Sequence, residues 1–298
     1  MPQSDFTAKP LSESLDRPTI HVVADNIAAG WEKAVMEAWE KGGRVATEYD
    51  QKGDSLSVDV CLMLEVTQSM GEPLFHRAFP GGLENLELYR REVVEGVHDD
   101  WIHPTEKGKW RYTYHERLFA YKVPGMEPID QIEKVIEQLA RVPHSRRALA
   151  ITWYPWYDPL SLDPPCAEQF WFRIFGDQLY MDMHIRSNDA FKAAFMNMFA
   201  FVHLQRLVAD RLTERLGRVI VPGRYVHIAD SFHIYGRDHA DFAKFMELSS
   251  SRTLEGRTWR SYEKLFANIW TQAGADADRI LDHEAKTGTK GVGIAGIE

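Results

Sequence analysis

Leu56, Val58, Val60, Leu62, Leu64 and Val66 occupy every second position of one short run. Side chains of a strand alternate between its two faces, so this run predicts a strand with one apolar face that another layer must cover. Cys61 falls on the opposite face and reads as structural. The covering layer is legible nearby. Ile27, Trp31, Val35, Ala38 and Trp39 recur at helical spacing over Asn26–Glu40, and Gly42-Gly43 supplies the stop. Further helices are expected over Leu83–Val97, Ile129–Arg141 (ended by Pro143), Asn188–Leu216 (closed by Gly217), His239–Ser249 and Trp259–Asp282. Strands are expected over Ala148–Trp153 and Tyr225–Tyr235, and Phe170–Ile174 with Leu179–Ile185 flank Gly176-Asp177 as a hairpin. Residues 1–18 read as a polar N-terminal arm, residues 19–298 as one domain, and the Gly-rich tail from Thr287 as a flexible flap. No repeat or dividing linker interrupts the chain. The expectation is a single α/β (α+β) domain with a mixed, largely antiparallel sheet flanked by helices.

Charge and composition remove several functions. Lys+Arg 35 against Asp+Glu 44 leaves a net charge of −9, and no basic stripe offsets it, so a nucleic-acid backbone is not the expected partner. Two or three well-placed arginines would still hold one phosphate. No run approaches the roughly 18 apolar residues of a membrane span. Two cysteines make no disulfide scaffold. The opening MPQSDFTAKP has no signal-peptide pattern. A reduced, cytoplasmic protein without a membrane partner is expected. His98 and His103 lie five apart with no supporting ligands, so no metal is expected.

The chemistry concentrates between Ser145 and Tyr235. Cys166 follows Pro164-Pro165, which fix the backbone under the thiol. A neighbouring arginine would draw that thiol toward thiolate; a buried structural cysteine is the plain alternative. Arg186-Ser187, at the end of a strand, pairs a guanidinium with a hydroxyl, as phosphate binding requires, and Arg146-Arg147 adds two cations. Each alone would read as a solvated basic patch. Asn197 sits in an apolar helix, where an unpaired amide costs about 1–3 kcal/mol; it could pair with a pyrimidine edge or with another helix. His233 and Tyr235 share one strand face and could hold a sugar hydroxyl, or could be ordinary strand residues.

Taken in order, Ser-Arg-Arg (145–147), Pro165-Cys166, Arg186-Ser187-Asn188-Asp189, Asn197 eleven residues after Arg186, and His233-x-Tyr235 resemble thymidylate synthase and its relatives, the pyrimidine hydroxymethylases. A looser match runs upstream through Val97–Trp101 and Tyr112–Arg117. The resemblance implies a thymidylate-synthase-like fold and an obligate homodimer. It implies that Cys166 adds to C6 of a pyrimidine ring and that Arg186, Ser187, Arg146 and Arg147 hold the 5′-phosphate, the Arg146-Arg147 pair crossing from the partner subunit. Asn197 would read the base edge, Asp189 would position the base and the folate pterin, and His233 and Tyr235 would take the 3′-hydroxyl. Tyr114 and Glu87 match the catalytic tyrosine and glutamate.

Thiolate addition at C6 makes C5 nucleophilic toward a one-carbon unit, here from 5,10-methylenetetrahydrofolate. Hydride completes a methyl group and water a hydroxymethyl group. The implied reaction is dUMP to dTMP; hydroxymethylation of dCMP or dUMP is the near alternative. Three departures keep that alternative open. Ala167 follows Cys166 where many synthases have His, the early Arg-Thr-Gly loop is missing, and His98 stands where a tryptophan would pack near the cofactor. Asn197, rather than Asp, favours uracil. Two other classes remain: a non-catalytic nucleotide or RNA binder, and a thiol hydrolase using Cys166 with Asp238-His239.

Overall fold

The computed structural model describes residues 16–103, 105–106 and 109–297. Most of the expected N-terminal arm therefore lies outside the described residues. Among the described residues, nine strands run β1 Thr19–Ala24, β2 Gly43–Val45, β3 Ser57–Val66, β4 Phe75–His76, β5 Leu149–Ile151, β6 Ala167–Phe175, β7 Gln178–Asp189, β8 Val221–Ile234 and β9 Thr258–Trp259. The helices are α1 Ile27–Lys41, α2 Leu83–Glu95, α3 Tyr114–Phe119, α4 Gln131–Arg141, α5 Ala194–Leu216, α6 His239–Ser251, α7 Leu254–Arg257 and α8 Lys264–Thr287.

The main sheet has seven strands in the order β1-β3-β8-β7-β6-β5, with β2 joined to β3. The alternation in β3 is realised as drawn from the sequence: Val58, Val60, Leu62, Leu64 and Val66 are fully buried, and Met63 is 43% exposed on the far face. Helix α1 covers the buried face. Asn26 caps it by accepting from the Ala29 amide at 2.9 Å, and Trp31 and Val35 are fully buried beneath it.

Pairing directions decide where chemistry can gather. β7 and β8 are parallel, so their C-terminal ends coincide; β6 is antiparallel to β7, so its N-terminal end joins them. Cys166 precedes β6, Arg186–Asp189 finish β7, and His233 is near the end of β8. One sheet edge thus receives all three segments. α5 departs from the same edge and carries Asn197 in its first turn.

The sequence placed two boundaries differently. Asn188 and Asp189 were expected to open the long helix, but β7 continues through them, because pairing with β8 extends to Asp189↔His233. Trp259 was expected in the last helix, but it pairs with Phe75 in a two-stranded sheet, and α8 starts at Lys264. The tail expected as a flap is tied down within the described residues: the Gly291 amide donates to Glu284 Oε1 at 3.2 Å.

Candidate active site

The strand ends, α2, α5 and the segment before α3 enclose a cleft of about 450 Å³, within the range of small-molecule sites. Its lining includes Cys166, Tyr114, Ser187, Asp189, Asn197, His233 and Tyr235. Seven residues singled out from sequence therefore meet in one place.

Cys166 is half-buried at the cleft wall. Two devices fix its loop. Arg117, buried with Asp158, makes a two-pronged ion pair at 2.8 Å on each prong and donates to the Thr152 carbonyl at 2.8 Å. The Tyr114 hydroxyl accepts from the Ala167 amide at 3.0 Å, which locks the residue after the cysteine. Arg186 is braced against the two prolines, donating Nε to the Pro165 carbonyl and Nη2 to the Pro164 carbonyl. The same Nη2 lies 3.8 Å from Cys166 Sγ. The thiol is nevertheless pushed up: burial outweighs the pull of Arg186, and Asp163 and Glu168 add to the rise. Arg186 draws the thiol toward thiolate as expected, but burial is the larger effect in the single chain.

Asn197 is buried, and its Oδ1 accepts from the Tyr89 hydroxyl at 2.6 Å. That bond fixes the amide and leaves Nδ2 as a free donor. Asp189 Oδ1 is taken by the Phe191 and Lys192 amides at 3.1 and 2.9 Å, leaving Oδ2 as the remaining acceptor. Burial raises the Asp189 carboxyl, with those amides and His233 opposing. Beneath His233, the Ser231 hydroxyl donates to Asp59 Oδ2 at 2.6 Å. The Ser231 oxygen then faces His233 Nδ1 at 3.2 Å as an acceptor, so Nδ1 carries the proton and Nε2 presents a lone pair. Burial pushes this imidazole down, toward its neutral form. Nε2 is buried without a partner, an acceptor ready for a hydroxyl.

Three expected residues lie elsewhere. Glu87 does not line the cleft. Arg90 chelates its carboxylate at 2.7 and 2.8 Å, and Arg91 adds a third bond at 2.7 Å, so it serves helix packing. Glu92, five positions on along α2 and on another face, lines the cleft instead. Arg146 and Arg147 stand exposed before β5 and do not line this chain's cleft. The sequence reading missed Tyr89, Glu92, Trp110 and Tyr112, all in the lining. Tyr89 and Glu92 are three apart on α2 and share a face; that spacing was the available signal.

Comparison with known proteins now bears on this arrangement. The thymidylate synthase family model matches residues 81–255, more than half of the 298-residue chain. The chain belongs to the thymidylate synthase family. A protein named "Putative thymidylate synthase" from Methanocaldococcus jannaschii is 29% identical over 224 residues, which cover 74% of this chain and 92% of that one. A protein of the same name from Methanosarcina barkeri is 28% identical over 213 residues, 69% of this chain and 88% of its own. Among solved structures, thermostable thymidylate synthase A from Bacillus subtilis superposes with a TM-score of 0.56 at 17% identity. That match covers 74% of this chain and 84% of the other, and it shows the shared fold. Membership makes this chain a transferase of the thymidylate synthase family, a family that uses methylenetetrahydrofolate. Among the described residues, no helix is long and apolar enough to cross a membrane.

Proposed function

We propose that this protein transfers a one-carbon unit to C5 of a pyrimidine nucleoside 5′-monophosphate, converting dUMP to dTMP. The observation that carries the reading is Cys166, which lines one cleft with Asn197 and His233 and whose Sγ lies 3.8 Å from the Arg186 guanidinium just behind it. Ser187 and the free edge of Arg186 take the phosphate. His233 Nε2 accepts from the 3′-hydroxyl, with Tyr235 beside it at 4.6 Å between ring centroids. Asn197 offers donor and acceptor side by side, which matches O4 and N3–H of uracil.

The Cys166 thiolate adds to C6, and charge moves to C5 and O4. Cys166 gives up its proton for this step, at a cost raised by burial and lowered by Arg186. Glu92 takes the role first expected of Glu87, holding or giving a proton at the base. Tyr114 fixes the loop behind the sulfur and lines the cleft beside it.

The residues fit a bound folate. Trp110 and Tyr112 give the cleft an aromatic wall, and Asp189 keeps one carboxylate oxygen for an amino or imino donor of the pterin. When bound, methylenetetrahydrofolate supplies the carbon and, for a methyl product, the hydride. A homodimer belongs to this reading. Arg146 and Arg147 reach the partner's phosphate site from their exposed position, and the uncovered sheet face, where Met63 and Phe175 are 43% and 45% exposed, provides the contact. A cytoplasmic location fits free nucleotide and folate substrates.

His98 in place of tryptophan keeps hydroxymethylation as the second reading. The test is incubation with 5-tritiated dUMP, then dCMP, plus methylenetetrahydrofolate. Tritium release from dUMP with dTMP identified by mass is expected. A hydroxymethyl product overturns methylation, and no release from any pyrimidine monophosphate overturns the enzymatic reading.

A further inference from the structure

Cys166 is followed by Ala167, so that position supplies no imidazole to the cleft. An imidazole stands instead behind a carboxylate of the cleft wall. α2 ends at Gly96, whose φ of +69° reverses the chain; a Cβ there would sit 2.3 Å from the His115 ring, so only glycine makes this turn. The reversal carries His98 back against the helix it has just left.

His98 is 3% exposed and has a carboxylate on each ring nitrogen. Nδ1 lies 2.9 Å from Oε2 of Glu92, the cleft carboxylate. Nε2 lies 2.9 Å from Oε2 of Glu284 on α8. Two such contacts need two protons. A neutral imidazole supplies one, and the lone pairs at its other nitrogen would repel a bare carboxylate. Either the ring is imidazolium between two carboxylates, or it is neutral and one carboxyl is protonated. Both forms hold the same two protons. Glu284 is the poorer place for the mobile one. Its oxygens are already engaged, one accepting from the Gly291 amide at 3.2 Å and the other facing Lys290 Nζ at 3.4 Å.

We propose that His98 is a positioning and proton-holding residue for Glu92, and that Glu284 anchors it, forming a buried carboxylate–imidazole–carboxylate chain. The proposal deepens the reading of the cleft as a pyrimidine site and rests on it for its kinetic part. In the imidazolium form the Nδ1 proton crosses to Glu92 Oε2, breaking N–H and forming O–H. Glu92 then gives that proton to a substrate atom: its O–H bond breaks and a bond from hydrogen to substrate forms. Glu92 is left a carboxylate and His98 neutral with Nε2–H on Glu284. Proton abstraction by Glu92 runs the same path backward. The chain moves one proton each way and needs no co-reactant.

The groups that face His98 are Glu92 from α2, Glu284 from α8, Lys290 from the C-terminal segment, and the edge of Trp110, 4.9 Å between centroids. Burial works against the charged ring. The bonds and charges of Glu92 and Glu284 outweigh it and the repulsion from Lys290, leaving His98 raised above an ordinary histidine. The Lys290 contact also makes the C-terminal segment part of the chain.

The test uses the full-length protein with nitrogen-15 labelled histidine, without substrate. The ring nitrogens of His98 are followed by NMR across pH in wild type, Glu284→Gln and Lys290→Met. Wild type is expected to hold two ring protons through neutral pH. Glu284→Gln is expected to lower the midpoint by about 1–3 units, because an anion in contact is lost. Lys290→Met is expected to raise it, an opposite shift that serves even if the Glu284 variant folds poorly. A wild-type ring that is a single neutral tautomer at pH 7 overturns the proposal, as do midpoints that neither variant moves. In parallel, the alkaline limb of tritium release should move to lower pH in Glu284→Gln with KM for the nucleotide unchanged. An active variant with an unmoved profile also overturns the proposal. If no pyrimidine monophosphate releases tritium, the functional reading fails, and the NMR result alone still decides the proton chain.

Discussion

Tyr89→Phe removes one oxygen and no packing volume to speak of, which makes it a sharp probe of the cleft. The lost atom donates to Asn197 Oδ1 at 2.6 Å, and Asn197 is 7% exposed, so bulk water does not replace the donor freely. A buried hydrogen bond of this kind is worth about 0.5–1.5 kcal/mol net, and stranding one partner costs about 1–3 kcal/mol. The first figure sets the loss of folding stability. The second sets the functional cost, because the freed amide can rotate and offer the base the wrong edge. At 1.36 kcal/mol per tenfold change, the nucleotide KM should rise about 5- to 160-fold. The midpoint of thermal unfolding should fall by only a few degrees. Nucleotide titration by calorimetry and steady-state kinetics with dUMP measure the first effect, and a thermal melt measures the second. Unchanged dUMP affinity with a normal melt would refute the claim that Tyr89 orients the base-reading amide.

Two further outcomes follow from the charges. Alkylation of Cys166 by iodoacetamide, read on the isolated peptide, should rise with pH, with its midpoint above that of a free thiol because burial dominates. Arg186→Met should move that midpoint higher still, since the opposing cation is gone; a fall would contradict the assignment of Arg186. Away from the cleft, Glu32 is buried against His76 and Arg257. Burial disfavours its anion, but those two partners outweigh it and hold the carboxyl down at about 2, against an ordinary 4.5. Its contribution is complete above about pH 4.5 and is lost as pH falls toward 2. Its size is about 3 kcal/mol by linkage, or about 2 after solvent screening. Acid denaturation of Glu32→Gln should therefore begin from lower stability and fall less steeply over that window than wild type; equal slopes would count against the triad.

Much of the fold was legible because periodicity is local. The alternation in β3 and the helical spacing in α1 each lie within one short run, and Gly42 and Gly217 mark the ends of α1 and α5. The errors came where a partner strand decided. Asn188 and Asp189 look like a helix start, yet the ladder to β8 keeps them extended. Trp259 fits a helical pattern, yet Phe75 claims it for a small sheet. The cleft divided in the same way. Cys166, Arg186, Ser187, Asp189, Asn197, His233 and Tyr235 could be named from residue type and order. Tyr89, Glu92, Trp110 and Tyr112 could not, because nothing near them in sequence shows what lies across the space.

The sequence by itself determined the residue inventory, the apolar faces and the family, since each is written in short-range order. Tertiary structure decided which carboxylate lines the cleft. Glu87 and Glu92 are equivalent on paper, and only the arginines around one and the cleft before the other separate them. It also decided that a thiol beside an arginine is still pushed up, because burial is a property of the whole packed domain. His98 is the clearest case. Its two carboxylates come from a helix just before it and from α8, nearly two hundred residues away, and long-range packing alone brings the second to it.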